Sequence, residues 1–91
     1  MVHFSKLQGT WTKKGNEFYS ESSPGFTLLL VERPNPKPKQ PKKYILAVLP
    51  SGRREYVSGI LDTNKIDYQG KYFLFQMHKA NEFSIQSTFA L

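Results

Sequence analysis

The sequence predicts an all-β fold, a small antiparallel barrel that is closed or partly open. Nearly every apolar stretch of the 91 residues is short, rich in aromatic or β-branched residues, and bounded by Gly, Pro, Asn or Ser, as strands and turns are. About six to eight such stretches can be counted, and closing them into a barrel removes exposed edges that invite aggregation. An oligonucleotide-binding barrel is the first candidate topology and an SH3-like barrel the second, while the strand order stays open.

The chain begins with a predicted hairpin. Leu7–Thr12 and Glu17–Ser20 form its strands, and residues 13–16, Lys-Lys-Gly-Asn, form its turn, because Gly and Asn accept the positive φ that tight turns require. Residues 22–25, Ser-Ser-Pro-Gly, break the chain again and separate this hairpin from the next strand.

Two nearly continuous apolar runs, Phe26–Arg33 and Lys43–Leu49, are predicted as the central strands, buried on both faces or closed into a barrel. The basic, proline-punctuated segment 33–43 joins them, and we call it the proline loop. Proline lacks an amide donor and disfavours helix in the preceding residue, so we expect a mobile, polyproline-like loop in water. Its exposed cations are predicted to be Lys37, Lys39, Lys42 and Lys43.

The second half of the chain continues the same alternation of strands and breaks. Residues 50–52 turn the chain into a strand at Arg53–Leu61, and residues 62–64 end that strand. A short strand at Ile66–Tyr68 then enters a tight hairpin at Gln69-Gly70, and the return strand is Lys71–Met77.

The last predicted strand, Glu82–Phe89, has the clearest alternation. Phe83, Ile85, Ser87 and Phe89 are expected on a dry face, and Glu82, Ser84, Gln86 and Thr88 on a wet face. The residues before it, 78–81, fit either a loop or a single helical turn.

Length and composition indicate one domain, residues 1–91, near the lower limit for a self-sufficient core, which favours a homodimer or a partner surface. The formal charge is +6 and there is no cysteine. Small secreted domains usually carry disulfides, so we expect a cytoplasmic protein. The N-terminus lacks the apolar stretch of a signal peptide, and no run reaches the roughly 20 apolar residues of a spanning helix, so we expect no membrane association.

Catalytic patterns are sparse, and we predict a non-enzymatic protein without cofactor or metal. His3 and His78 lie far apart in the chain, with no cysteine to share a metal site. The close aspartates Asp62 and Asp67 both flank turns, where they are more simply explained as turn residues than as a hydrolytic pair. The phosphate-binding glycine loop and the GxSxG nucleophile motif are both missing from the sequence.

Cations interleaved with aromatic residues point instead to single-stranded nucleic acid, with DNA favoured. Lysine and arginine neutralise phosphates, and aromatic rings stack on unpaired bases. The candidates outside the proline loop are Trp11, Lys13, Lys14, Phe18, Tyr19, Arg53, Arg54, Tyr56, Lys71 and Tyr72. The alternative interpretation is that Trp11 and Phe18 belong to the core and the lysines only keep the surface soluble.

Residues 9–19, GTWTKKGNEFY, with the apolar strand that follows to residue 31, resemble the opening of the small single-stranded-DNA-binding proteins of filamentous phages. Those proteins are dimeric oligonucleotide-binding barrels. The resemblance implies that Lys13 and Lys14 line a channel for the DNA backbone, with Phe18 or Tyr19 as a stacking platform. The proline loop departs from that pattern. Residues 54–62 and the aromatic strands after them are similar to small β-rich plasmid proteins, which implies an accessory protein.

A second function remains open from the sequence. The protein could be an interaction module, a small inhibitor or accessory subunit, that docks its basic loop and exposed aromatic residues on an acidic protein. The loop also contains a PxxP spacing of the kind that aromatic-lined grooves bind.

Overall fold

The computed structural model describes residues 3–61 and 64–87, which form one nearly closed barrel of eight antiparallel strands. The predicted all-β barrel is therefore confirmed. A short 3-10 helix, Phe4–Lys6, precedes the strands. The strands are β1 Gly9–Lys14, β2 Glu17–Tyr19, β3 Thr27–Glu32, β4 Lys43–Val48, β5 Arg54–Gly59, β6 Lys65–Tyr68, β7 Lys71–Lys79 and β8 Glu82–Ser87.

The strand order is an up-and-down meander closed by a pairing of β1 with β8. An oligonucleotide-binding barrel has five strands in Greek-key order, so the topology placed first by the sequence is corrected. Tight turns favour the meander where they occur, because they pair the two strands that they join. Gln69 and Gly70 both have positive φ, 54° and 81°, as a type I′ turn requires, and Gly15 with φ 64° occupies the first position of the β1–β2 turn.

One seam interrupts the barrel. Among the described residues, β5 and β6 stand at the two ends of the strand order and form no backbone ladder. A side chain bridges them: Ser58 Oγ accepts a hydrogen bond from the Asp67 amide at 3.1 Å and donates one to the Gly59 carbonyl at 2.7 Å. The barrel is therefore held together at this point by a hydroxyl group.

The barrel interior is filled with side chains, as expected of an eight-stranded barrel. Phe83 lies at its centre, with ring centroids 4.5 Å from Phe18 and 4.8 Å from Phe75. The Trp11 indole donates a hydrogen bond to the Leu7 carbonyl at 2.9 Å, which joins the N-terminal segment to the core. The other buried apolar residues are Leu28, Ile45, Ala47, Val57, Ile66, Tyr68, Phe73 and Ile85.

Several predicted boundaries differ from those observed. The first turn contains only Gly15 and Asn16, so Lys13 and Lys14 belong to β1 and not to the turn. Strand β7 continues to Lys79, which removes the predicted loop or helical turn from residues 78 and 79. Both shifts have the same cause, since a two-residue hairpin turn lets the ladder run up to the turn itself.

The alternation predicted for the last strand is mostly confirmed. Phe83 and Ile85 are buried and Gln86 is exposed. Ser84 is the exception: it was expected on the wet face but is 4% exposed, and its Oγ lies 2.9 Å from Nε2 of His78. The predicted positions of Thr88 and Phe89, and the break at residues 62 and 63, lie outside the described residues.

Because consecutive strands run in opposite directions, successive connections alternate between the two ends of the barrel. The turn at residues 15–16, the proline loop and the turn at residues 80–81 lie at one end. The connections at residues 49–53 and 69–70 lie at the other. We call these the proline-loop end and the opposite end.

Candidate nucleic-acid interface

Two of the predicted contact residues belong to the core. Trp11 and Phe18 are 0% and 3% exposed, because Trp11 pairs with Phe83 across β1 and β8 and Phe18 pairs with Leu28 across β2 and β3. Cross-strand partners share a face of the sheet, and here that face is the barrel interior. The core interpretation is confirmed for both residues, and their rings are not available to stack on a base.

Outward-facing residues of β1 and β2, together with the segment after β2, line a groove of about 610 Å³. Lys14 Nζ lies 6.0 Å from the centre of the Tyr19 ring, at the limit of a cation–π contact. Tyr19 is 41% exposed. We call this the Tyr19 groove, and its lining residues are Thr10, Thr12, Lys14, Tyr19, Ser20, Glu21 and Ser22. It offers a ring, a cation, hydroxyl groups and the Glu21 carboxylate within one concave surface.

The outward side chains of β2–β5 form a second, broader surface that we call the outer face. Strand register places its residues in rows across the barrel. One row runs from Tyr19 through Thr27 and Val48 to Arg54. The next rows are Leu29, Leu46 and Tyr56, and then Val31, Tyr44 and Gly59. Tyr56 is 55% exposed, so a large ring protrudes from this face.

A cation and two aromatic rings stack along the outer face. The Arg33 guanidinium carbon lies 4.5 Å from the centre of the Tyr44 ring, and the Tyr44 and Tyr56 ring centroids are 5.7 Å apart with an interplanar angle of 36°. Arg33 Nη1 also donates a hydrogen bond to the Pro41 carbonyl at 2.8 Å. We call these three residues, Arg33, Tyr44 and Tyr56, the tyrosine–arginine row.

Sequence reasoning missed Arg33 and Tyr44 as members of a site. Tyr44 is separated from Leu46 by one residue, and Leu46 from Val48 by one more, so its outward direction could have been inferred from strand alternation. The contact with Arg33 could not be inferred, because it depends on the path of the proline loop.

The proline loop is packed at its base, in contrast to the mobile loop that was predicted. Pro41 lies against Gly59 of β5 so closely that a Cβ at position 59 would be 2.6 Å from the Pro41 Cγ. The Arg33 amide donates to the Lys42 carbonyl at 2.7 Å, which extends the β3–β4 ladder into the loop. The prolines prevent a strand from forming in this segment, but the apolar ring of Pro41 packs on the barrel.

The tip of the proline loop is a tight turn. In it the Gln40 amide donates to the Lys37 carbonyl at 2.9 Å, and Gln40 Oε1 accepts from the Lys37 amide at 3.0 Å. Lys39, Lys42 and Lys43 border a groove of about 500 Å³ whose apolar floor includes Ile60 and Leu61. These cations lie at the same end of the barrel as the lysines that end β1.

Exposure of the loop lysines is close to the prediction. Lys37, Lys39, Lys42 and Lys43 are all exposed. The hydrogen bonds between the Lys37 backbone and Gln40 fix the tip turn and leave the lysine side chain exposed.

Of the remaining candidates, Arg54 belongs to the outer face, whereas Arg53, Lys71 and Tyr72 do not. Arg53 and Lys71 lie at the opposite end, and Arg53 Nε is 4.0 Å from Glu55 Oε1 on the surface. Tyr72 is 53% exposed but pairs with Asp67 of β6, so the seam separates it from Tyr56. Arg54 is at the opposite end of the outer face, in the same row as Tyr19. The predicted set is therefore divided between two ends and two sides of the barrel.

The groups considered for catalysis are distributed over separate surfaces. His3 Nδ1 lies 2.7 Å from Ser5 Oγ in the N-terminal segment, while His78 contacts the buried Ser84. Asp67 is exposed and Asp62 lies outside the described residues. In the described ranges, no group of three or more His, Cys, Asp or Glu side chains could hold a metal ion.

Comparisons of the chain with protein-family models, with curated proteins and with solved structures found no match. The two resemblances drawn from the sequence therefore stay predictions. Within residues 3–61 and 64–87, no helix is long and apolar enough to cross a membrane.

Proposed function

We propose that this protein is a non-enzymatic binder of single-stranded nucleic acid, with the outer face as its contact surface and the proline loop as a basic flank. The observation that carries the proposal is the tyrosine–arginine row. It joins an exposed ring, Tyr56, through Tyr44 to Arg33 at the base of the basic loop. Unpaired bases stack on aromatic rings, and nearby cations hold the phosphates that connect those bases.

The distribution of charge supports the same proposal. Six of the predicted contact lysines lie at the proline-loop end of the barrel, and all six are exposed: Lys13, Lys14, Lys37, Lys39, Lys42 and Lys43. A strand on the outer face would pass beside them. Each phosphate that a lysine neutralises releases counterions, so affinity should fall as salt rises.

The partly exposed aliphatic residues of the outer face favour a second candidate. Leu29, Val31, Leu46 and Val48 are half-buried. An acidic protein that covers these residues and contacts the lysines would make the chain a protein-interaction module, as an inhibitor or accessory subunit. Its affinity would depend on a few buried anchors such as Tyr56.

A cytoplasmic location is part of the proposal. The chain contains no cysteine, a composition that suits a reducing compartment, where single-stranded DNA and RNA are also found.

Fluorescence anisotropy with labelled single-stranded DNA, single-stranded RNA and duplex DNA, at low and at near-physiological salt, tests the proposal. We expect single strands to bind more tightly than duplex and to retain measurable affinity at the higher salt. Tyr56→Phe keeps a stacking ring and should bind like the unmodified protein, whereas Tyr56→Ala should bind about tenfold more weakly. Equal binding of all three nucleic acids that disappears with salt would overturn the proposal and favour a protein partner.

A further inference from the structure

We infer that the Tyr19 groove and the tyrosine–arginine row are two subsites of one track, so that a single strand must be about five to six nucleotides long to occupy both. The inference rests on the proposed function and adds to it the path and the minimum length of the ligand.

The register of the strands fixes the separation of the two subsites. Tyr19 is on β2 and Tyr56 on β5, three inter-strand spacings apart, and the row of Tyr56 is one step along the strands from the row of Tyr19. With about 4.8 Å between strands and about 7 Å per two-residue step, the path along the surface is roughly 16 Å. At the spacing of about 3.4 Å per nucleotide found in one strand of a duplex, this path is roughly five steps, so a strand with a base at each ring has about five to six nucleotides.

The surface between the subsites suits the passage of a strand. Thr27, Leu29, Leu46 and Val48 are uncharged and lie between Tyr19 and Tyr56 in the register. A carboxylate at the margin of the path, that of Glu17, accepts a hydrogen bond from Thr27 Oγ1 at 3.2 Å, and Glu17 is the cross-strand partner of Lys14. Its charge therefore faces a cation and a hydroxyl group.

Two subsites on one rigid face predict a step in affinity with ligand length. A short oligonucleotide occupies one subsite at a time. Once the strand is long enough to reach the second subsite, binding there is intramolecular. Its effective concentration is set by the short length of nucleic acid between the two subsites. Beyond that length, affinity should rise only slowly, through the larger number of binding registers.

The experiment measures dissociation constants by anisotropy for oligothymidylates of about 2, 3, 4, 5, 6, 8 and 12 nucleotides at fixed salt. We expect the affinity to increase by about tenfold or more between the trimer and the hexamer and by less than about threefold between the hexamer and the dodecamer. Tyr19→Ala and Tyr56→Ala should each remove the step and leave trimer affinity within about threefold of the unmodified protein, because one subsite remains.

Tyr72→Ala is the matched control, because Tyr72 is as exposed as Tyr56 but lies across the seam. It should retain the full step. An even rise in affinity through the dodecamer, or disappearance of the step in Tyr72→Ala, would overturn the two-subsite track while single-strand binding stands. Absence of binding to any oligothymidylate and to the matching oligouridylates would overturn the proposed function itself.

Discussion

Pro41 and Gly59 lie in direct contact, with the Pro41 Cγ 2.6 Å from the position that a Cβ on residue 59 would occupy. This contact determines where the proline loop lies. With Pro41 on β5, its carbonyl accepts the Arg33 guanidinium, and Arg33 in turn covers Tyr44. The absence of a side chain at residue 59 therefore allows the basic loop to join the aromatic residues of the outer face.

Gly59→Ala should displace the loop from the barrel. The new methyl group would overlap Pro41, and overpacking of this kind costs about 1–3 kcal/mol. We expect the free energy of unfolding, measured by urea denaturation, to fall by this amount and single-strand affinity to fall with it. Pro41→Ala removes the obstructing ring, so Pro41→Ala combined with Gly59→Ala should be less destabilised than the sum of the single variants. Strict additivity would show that the contact does not exist.

Arg33→Lys tests whether Arg33 contributes to binding through the shape of its side chain or only through its charge. Lysine keeps the cation but removes the planar group that stacks on Tyr44 while donating to Pro41. We expect affinity for single-stranded DNA to weaken by about threefold to tenfold, with an unchanged slope of log affinity against log salt. Arg53→Lys, at the opposite end of the barrel, is the control and should change neither quantity. A reduced slope in Arg33→Lys would mean that this residue acts only by neutralising a phosphate.

Much of the barrel could be predicted because its signals are local. Glycine and asparagine in the turns, prolines after β3 and alternation in β8 each depend on residues adjacent in sequence. Within the described residues, the strand boundaries consequently agree with the prediction to within two residues.

The site was predicted less well because its contacts are between distant residues. Arg33 and Tyr44 are separated by the whole proline loop, and Pro41 and Gly59 by all of β4 and most of β5. Such pairs depend on barrel register and on how the loop folds back, which composition does not encode. Trp11 and Phe18 lie near lysines in the sequence, but their rings are buried in the barrel and cannot join those lysines in a surface site.

Replacement of Lys37, Lys39, Lys42 and Lys43 by serine tests the electrostatic part of the site. None of the four side chains is buried, so the free energy of unfolding should change by less than about 0.5 kcal/mol for each. The slope of log affinity against log salt should decrease by up to about 3, at about 0.7 for each phosphate of a single strand that is no longer neutralised. An unchanged slope would place the bound strand away from the loop.

Ser58→Ala tests the bridge across the seam. The substitution removes the acceptor of the part-buried hydrogen bond from the Asp67 amide, and loss of such a bond costs about 0.5–1.5 kcal/mol. We expect faster hydrogen exchange at the Asp67 amide by NMR and a lower free energy of unfolding. Ser51→Ala, in an exposed turn, is the control and should have little effect. Unchanged exchange at Asp67 in the Ser58 variant would mean that the hydroxyl does not hold β5 to β6.

Trp11 is the single tryptophan of the chain, so its fluorescence tests whether it is a core residue or a stacking residue. Because its ring is fully buried and its indole N–H is bonded to Leu7, saturating single-stranded DNA should leave its fluorescence nearly unquenched. Trp11→Phe removes that hydrogen bond and reduces the filled volume, so the free energy of unfolding should fall by about 1–3 kcal/mol. The dissociation constant for DNA, measured where the variant is still folded, should stay within about twofold, since the outer face is intact. Strong quenching together with a large decrease in affinity would show that Trp11 contacts the bases.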